Sequence, residues 1–181
     1  WNAVKILHLI LHILSLFAIY SYVSHLTKSQ YAGLASSFAL GFAFYRYHVF
    51  FYVGALNMAP TFVIWPIQLY LVDKFLSTNN NLKIGIKLAV LSAVGLTCHA
   101  YFGGYAGLFV AFYVLIRVFT RPGAINSFRN SLLLISKLFF WLFIGVLASL
   151  FYTLPALLES NFSIVQAWMG NDFLLPPMNL N

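Results

Sequence analysis

Few side chains in this sequence are equipped for chemistry, and they gather in a handful of places. Lys5, His8, His12 and Ser15 recur at three- and four-residue steps, which puts them on one face if the segment is helical. Two imidazoles one turn apart begin a metal or phosphate site, but such a site wants a further ligand and no carboxylate lies near. The plainer readings are a polar cavity lining or hydrogen bonds to neighbouring helices, and no metal centre is expected. Arg46 and His48 stand within Phe44-Tyr45-Arg46-Tyr47-His48-Val49-Phe50-Phe51-Tyr52. A guanidinium meets phosphate in a fixed fork, so this stretch suits a lipid-phosphate contact. An interfacial anchor in an aromatic belt is the alternative. His99 and Tyr101 sit together further on, and Glu159 and Asn161 follow Pro155. Glu159 has the chemistry of a base, a metal ligand or a hydroxyl acceptor, and equally of a solvated loop charge. Asp73 stands beside Lys74 and reads as a local ion pair.

No complete catalytic constellation accompanies these groups. The chain has no Gly-rich phosphate loop, no Cys/His zinc spacing, no G-x-S-x-G elbow and no neighbouring carboxylates, so no catalytic residue is assigned. Cys98 is the only cysteine, which excludes an internal disulfide.

The elements that must position these groups are set by composition. Of the 181 residues, 62% are hydrophobic and 7% charged, with mean hydropathy +0.88. Soluble domains carry about 25% charged residues, so this exterior is suited to lipid. The expected fold is all-α, a polytopic transmembrane bundle. Its six spans run Ala3–Val23, Tyr31–Tyr45, Pro60–Leu76, Leu82–Cys98, Gly104–Phe119 and Ser131–Leu154. Polar breaks at Thr27–Gln30, Ser77–Asn81 and Arg121–Gly123 separate the runs. Gly103-Gly104 is expected to make a tight turn, and Pro155 to end the last span. Residues 1–155 then form the bundle and 156–181 an outward-facing tail.

The formal net charge of +7 suggests nucleic acid, but the cations do not cluster as on a nucleic-acid surface. They flank apolar runs instead. Lys28, Lys74, Lys83, Lys87, Arg117, Arg121, Arg129 and Lys137 fall on one side of the membrane, and Lys5 and Arg46 on the other. Eight against two puts the first side in the cytoplasm. Arg46–Ala59, His99–Gly104 and the tail then face outward. The first helix begins outside, which implies an upstream span. Rows of small residues at four-residue spacing, Gly33/Ser37/Gly41, Ala35/Ala39/Ala43, Gly85/Ala89/Ala93 and Gly103/Gly107/Ala111, are expected to be helix contacts without chemistry.

Three stretches carry a resemblance. They are Gly54-Ala55-Leu56-Asn57-Met58-Ala59-Pro60 with Trp65-Pro66 and Leu71–Leu76, then His99–Tyr105, then Leu154-Pro155-Ala156-Leu157-Leu158-Glu159-Ser160. In that order they resemble polytopic GT-C-type glycosyltransferases, the YfhO-like bacterial membrane proteins and the related pyruvoyl-tetrahydropterin-synthase-associated membrane domains. The resemblance spans about Gly33 to Ser160 and implies a bacterial cytoplasmic membrane protein. It also implies a polyprenyl-phosphate-linked sugar donor, used on the extracytoplasmic face. Arg46, His48 and His99 would then line the donor or phosphate region. Glu159, with Lys5, His8 and His12, would lie on the acceptor side or line the cavity. The family's acidic catalytic loop, and a divalent metal as cofactor, are implied by resemblance alone; nothing here matches that acidic motif. A transporter or lipid flippase, and a non-catalytic membrane scaffold, are the other function classes. The visible sequence lacks the internal repeat that many transporters show.

Overall fold

Polar residues at the breaks between apolar runs cap three of the helices of this computed structural model, which describes residues 2–43, 59–78, 81–120 and 128–158. Helix α1 covers Asn2–Thr27. Lys28 then takes a left-handed conformation, φ 57°, and Ser29 caps α2 (Gln30–Gly41), its Oγ accepting from Ala32 N at 3.3 Å. Helix α3 covers Thr61–Ser77. Asn81 Oδ1 accepts from Lys83 N at 2.9 Å to begin α4 (Leu82–Cys98). Such side-chain acceptors satisfy amides that a helix N-terminus leaves without partners. Helix α5 runs Ala100–Phe119 and α6 Phe128–Leu158. All the regular structure among the described residues is helical, as the sequence led us to expect.

Three helical stretches, Asn2–Thr27, Phe102–Phe119 and Phe128–Pro155, are long and apolar enough to cross a membrane. Helices α3 and α4 have 17 residues each, about 25 Å at 1.5 Å per residue, against a hydrocarbon core of about 30 Å. The expected second span contracts most. Its described helix stops at Gly41 after 12 residues, about 18 Å, and Tyr45 lies outside the described residues.

Two sequence expectations about turns are corrected. Gly103 and Gly104 are inside α5; the break is at His99, whose extended backbone (φ −158°, ψ 104°) separates α4 from α5. Pro155 does not end α6, which continues through it to Leu158. A proline forfeits one backbone hydrogen bond, and membrane helices tolerate that loss.

The side-chain contacts orient the helices up and down in alternation. Ser37 Oγ on α2 donates to Leu16 O on α1 at 2.9 Å, and Gln68 on α3 reaches Ser92 on α4 at 3.0 Å. Asp73 on α3 meets Arg117 on α5 at 2.7 Å. Lys28, Lys74, Lys83, Lys87, Arg117, Arg129 and Lys137 therefore lie towards one end of the bundle, here the basic end, and Lys5 towards the opposite end.

Close approach depends on small residues at several of the expected positions, but Ala35 and Ala39 of the expected row Ala35/Ala39/Ala43 are exposed and make no such seam. A Cβ at Gly33 would collide with Ser24 and Tyr20 of α1, and one at Gly85 with the Trp141 indole of α6. A Cβ at Gly145 would lie 2.5 Å from Ala89 O, so the backbones of α4 and α6 approach closely there. Val72, Phe75, Leu88, Val114, Val118 and Leu138 are buried between α3, α4, α5 and α6. These residues lie in the basic half of the bundle. Large apolar side chains such as Phe17, Phe38, Phe112 and Phe151 point outward, the arrangement that lipid favours and water penalises.

Candidate functional site

The opposite half of the four-helix group is packed differently. Between α3, α4, α5 and α6 lies a cavity of about 290 Å³. Its existence follows from residue size. Gly104 and Gly107 of α5 line it, and a Cβ built on either meets nothing within 4 Å. Phe139, Leu142 and Phe143 of α6 and Ile64 of α3 are among the apolar residues of the remaining wall. The row Gly103/Gly107/Ala111, expected to be a packing seam throughout, thus divides its work. Gly103 meets the α4 backbone, where an added Cβ would sit 2.6 Å from Gly95 O, while Gly107 and Ala111 leave space.

Three polar side chains interrupt this apolar wall: Trp65, Gln68 and Ser92. Gln68 is 3% exposed. Its Nε2 donates to Ser92 Oγ at 3.0 Å, and Ser92 Oγ donates to Leu88 O at 2.9 Å. That chain fixes the amide orientation, because the Ser92 hydrogen is already engaged and its oxygen must accept. Gln68 Oε1 and Trp65 Nε1 are both buried and have no hydrogen-bond partner among the described residues. Pro66 lies between them and interrupts the backbone ladder of α3 in its second turn. Among the described residues, no charged side chain lines the cavity.

A second polar cluster ties α3 to α5 near the basic end. Asp73 Oδ1 accepts from Arg117 Nε at 2.7 Å, and Asp73 Oδ2 accepts from the Tyr113 hydroxyl at 2.9 Å. Tyr22 of α1 packs edge-on against Tyr113 with ring centroids 6.1 Å apart. The expected Asp73–Lys74 pair is corrected here. Successive helical residues do not face one another, and Lys74 Nζ instead lies 5.6 Å from the Tyr70 ring centroid.

The sequence-nominated residues are dispersed. His99 Nδ1 accepts from Phe102 N at 3.3 Å, capping α5, and its ring packs edge-on against Phe102. His8 is buried and its Nδ1 lies 3.1 Å from Val4 O in its own helix. Ser15 Oγ donates to His12 O at 2.6 Å, and Lys5 is exposed. None of Lys5, His8, His12 or His99 lines the α3–α6 cavity. Arg46, His48 and Glu159 lie outside the described residues.

No family model matches the chain, and neither the curated proteins nor the solved structures hold a match. Among the described residues, no three His, Cys, Asp or Glu side chains come together. They do not form the donor set that the divalent metal implied by the resemblance would need.

The sequence reading missed Gln68, Trp65, Ser92 and the Asp73–Arg117 link. A signal for Gln68 was present, since an amide inside an apolar run in lipid requires a partner or a purpose.

Proposed function

We propose that this chain is part of a multi-pass membrane glycosyltransferase of the GT-C type. In this reading a sugar passes from a polyprenyl-phosphate donor to an acceptor hydroxyl on the extracytoplasmic side. The observation that carries the reading is the segregation of charge along the bundle. Seven described basic residues lie towards one end, and the helix termini at the other end carry His99 and lead to the segments holding Arg46, His48 and Glu159. By the positive-inside rule the basic end is cytoplasmic, which leaves the opposite end extracytoplasmic. The resemblance of the three ordered motifs supplies the reaction class.

In this reading the acceptor hydroxyl attacks the anomeric carbon, the anomeric carbon–oxygen bond breaks so that the polyprenyl phosphate leaves with the bonding electron pair, and the hydroxyl proton passes to the departing phosphate. Arg46 stabilises the charge that builds on that phosphate; His48 and His99 are assigned to the same donor region, and Glu159 to the acceptor side.

The test uses vesicles containing the full-length protein and a labelled polyprenyl-phosphate hexose. Transfer of label is expected, and an Arg46→Gln variant should turn over roughly ten- to a hundredfold more slowly, the loss of one charge-assisted hydrogen bond. Unchanged turnover and donor affinity would remove Arg46 from the site. Absence of transfer by the unmodified protein would overturn the reading.

A further inference from the structure

We propose that the cavity between α3, α4, α5 and α6 is a binding site for an uncharged lipid alcohol, an apolar chain whose hydroxyl is received between Gln68 and Trp65. The inference stands apart from the sugar-transfer reading.

Polarity selects the functional group. Gln68 Oε1 needs a donor and Trp65 Nε1 needs an acceptor. The two residues are three apart on α3, on neighbouring turns of one face. A hydroxyl both donates and accepts, so one such group can satisfy both atoms. A carboxylate or phosphate is disfavoured, because among the described residues no charged side chain lines the cavity and an unpaired ion buried in the membrane interior is costly.

Size and shape select the rest. A volume of about 290 Å³ is roughly ten times the ~30 Å³ share of a single water. Water could therefore satisfy the two polar atoms but would leave the apolar remainder unfilled, whereas a hydrocarbon chain fills it. The source is the surrounding bilayer. Leu108 on α5 and Phe143 on α6 border the cavity, yet they are 60% and 57% exposed on the lipid-facing exterior. A chain can thus enter sideways between these two helices.

The experiment uses the full chain in phosphatidylcholine nanodiscs, with a diazirine-bearing decanol as photoprobe. Labelled positions are read by peptide mass spectrometry. The competitors are 1-decanol and 1-methoxynonane, which have the same heavy-atom count, compared at equal mole fraction in the bilayer. The ether accepts a hydrogen bond but cannot donate one to Gln68 Oε1.

Labelling is expected on the cavity-lining segments of α3 and α5, with the alcohol competing at about tenfold lower mole fraction than the ether, the worth of one buried hydrogen bond. Gln68→Leu should bring the two competitors within about twofold of each other. Gly107→Leu, which places a side chain in the open space, should abolish the labelling. Equal competition by alcohol and ether overturns the proposal, as does an alcohol preference that survives Gln68→Leu or labelling that survives Gly107→Leu. Labelling spread over lipid-facing helices without competition also overturns it. If either variant fails to fold, the alcohol–ether comparison on the unmodified protein decides alone.

Discussion

Asp73 is 3% exposed at its side chain, while its partner Arg117 is 38% exposed, and that inequality predicts an order of damage. Arg117→Met strands a buried carboxylate with only the Tyr113 hydroxyl to satisfy it. Asp73→Asn strands a guanidinium that can still turn towards water or a lipid phosphate. Breaking a buried pair from one side costs about 3–5 kcal/mol when the remaining ion stays buried. Arg117→Met should approach the lower part of that range, and Asp73→Asn should cost less, because exposure screens the cation it leaves. Denaturant titration in detergent micelles measures both, and an Asp73→Asn loss larger than the Arg117→Met loss would refute the assignment. The pair was not legible from the sequence, because its members are 44 residues apart and Lys74 offered an adjacent decoy. Gln68 was legible as an oddity within an apolar run, but its partner Ser92 required the fold.

At the scale of elements, two glycines on helices that line the cavity perform opposite tasks, which substitution can separate. Gly145 carries the α4–α6 seam, where a Cβ would sit 2.5 Å from Ala89 O and 2.6 Å from Ser92 Cβ. Gly145→Ala should therefore destabilise the protein by about 1–3 kcal/mol, the cost of overpacking. Gly107 faces open space, so Gly107→Ala should be neutral or stabilise by about 0.5–1 kcal/mol, the helix preference for alanine. Thermal unfolding of the two variants compares them directly, and equal losses would contradict the described seam. Helix α4 was read from the sequence with the bounds it has, since Asn81 and His99 mark both ends with polar side chains. The start of α5 was misplaced because glycines signal turns in water, whereas here they provide close approach to α4 and space beside the cavity. The same logic explains Pro155, a breaker by composition that α6 absorbs.

For the whole molecule, orientation is the property on which the proposed function leans most, and the chain carries its own reporter. Cys98 is the only cysteine and lies at the last residue of α4, away from the basic end. In intact cells, a membrane-impermeant maleimide should label Cys98 from outside. A cysteine introduced at Lys28 in a Cys98→Ser background should label only after permeabilisation, and the reverse pattern would invert the bundle. The Asp73–Arg117 bridge also has a consequence in time. A ribosome adding about 5–20 residues per second delivers Arg117 roughly 2–9 s after Asp73, given the 44 residues between them. Until then the carboxylate has no Arg117 guanidinium to meet. The link between α3 and α5 can therefore close only after α5 has been made.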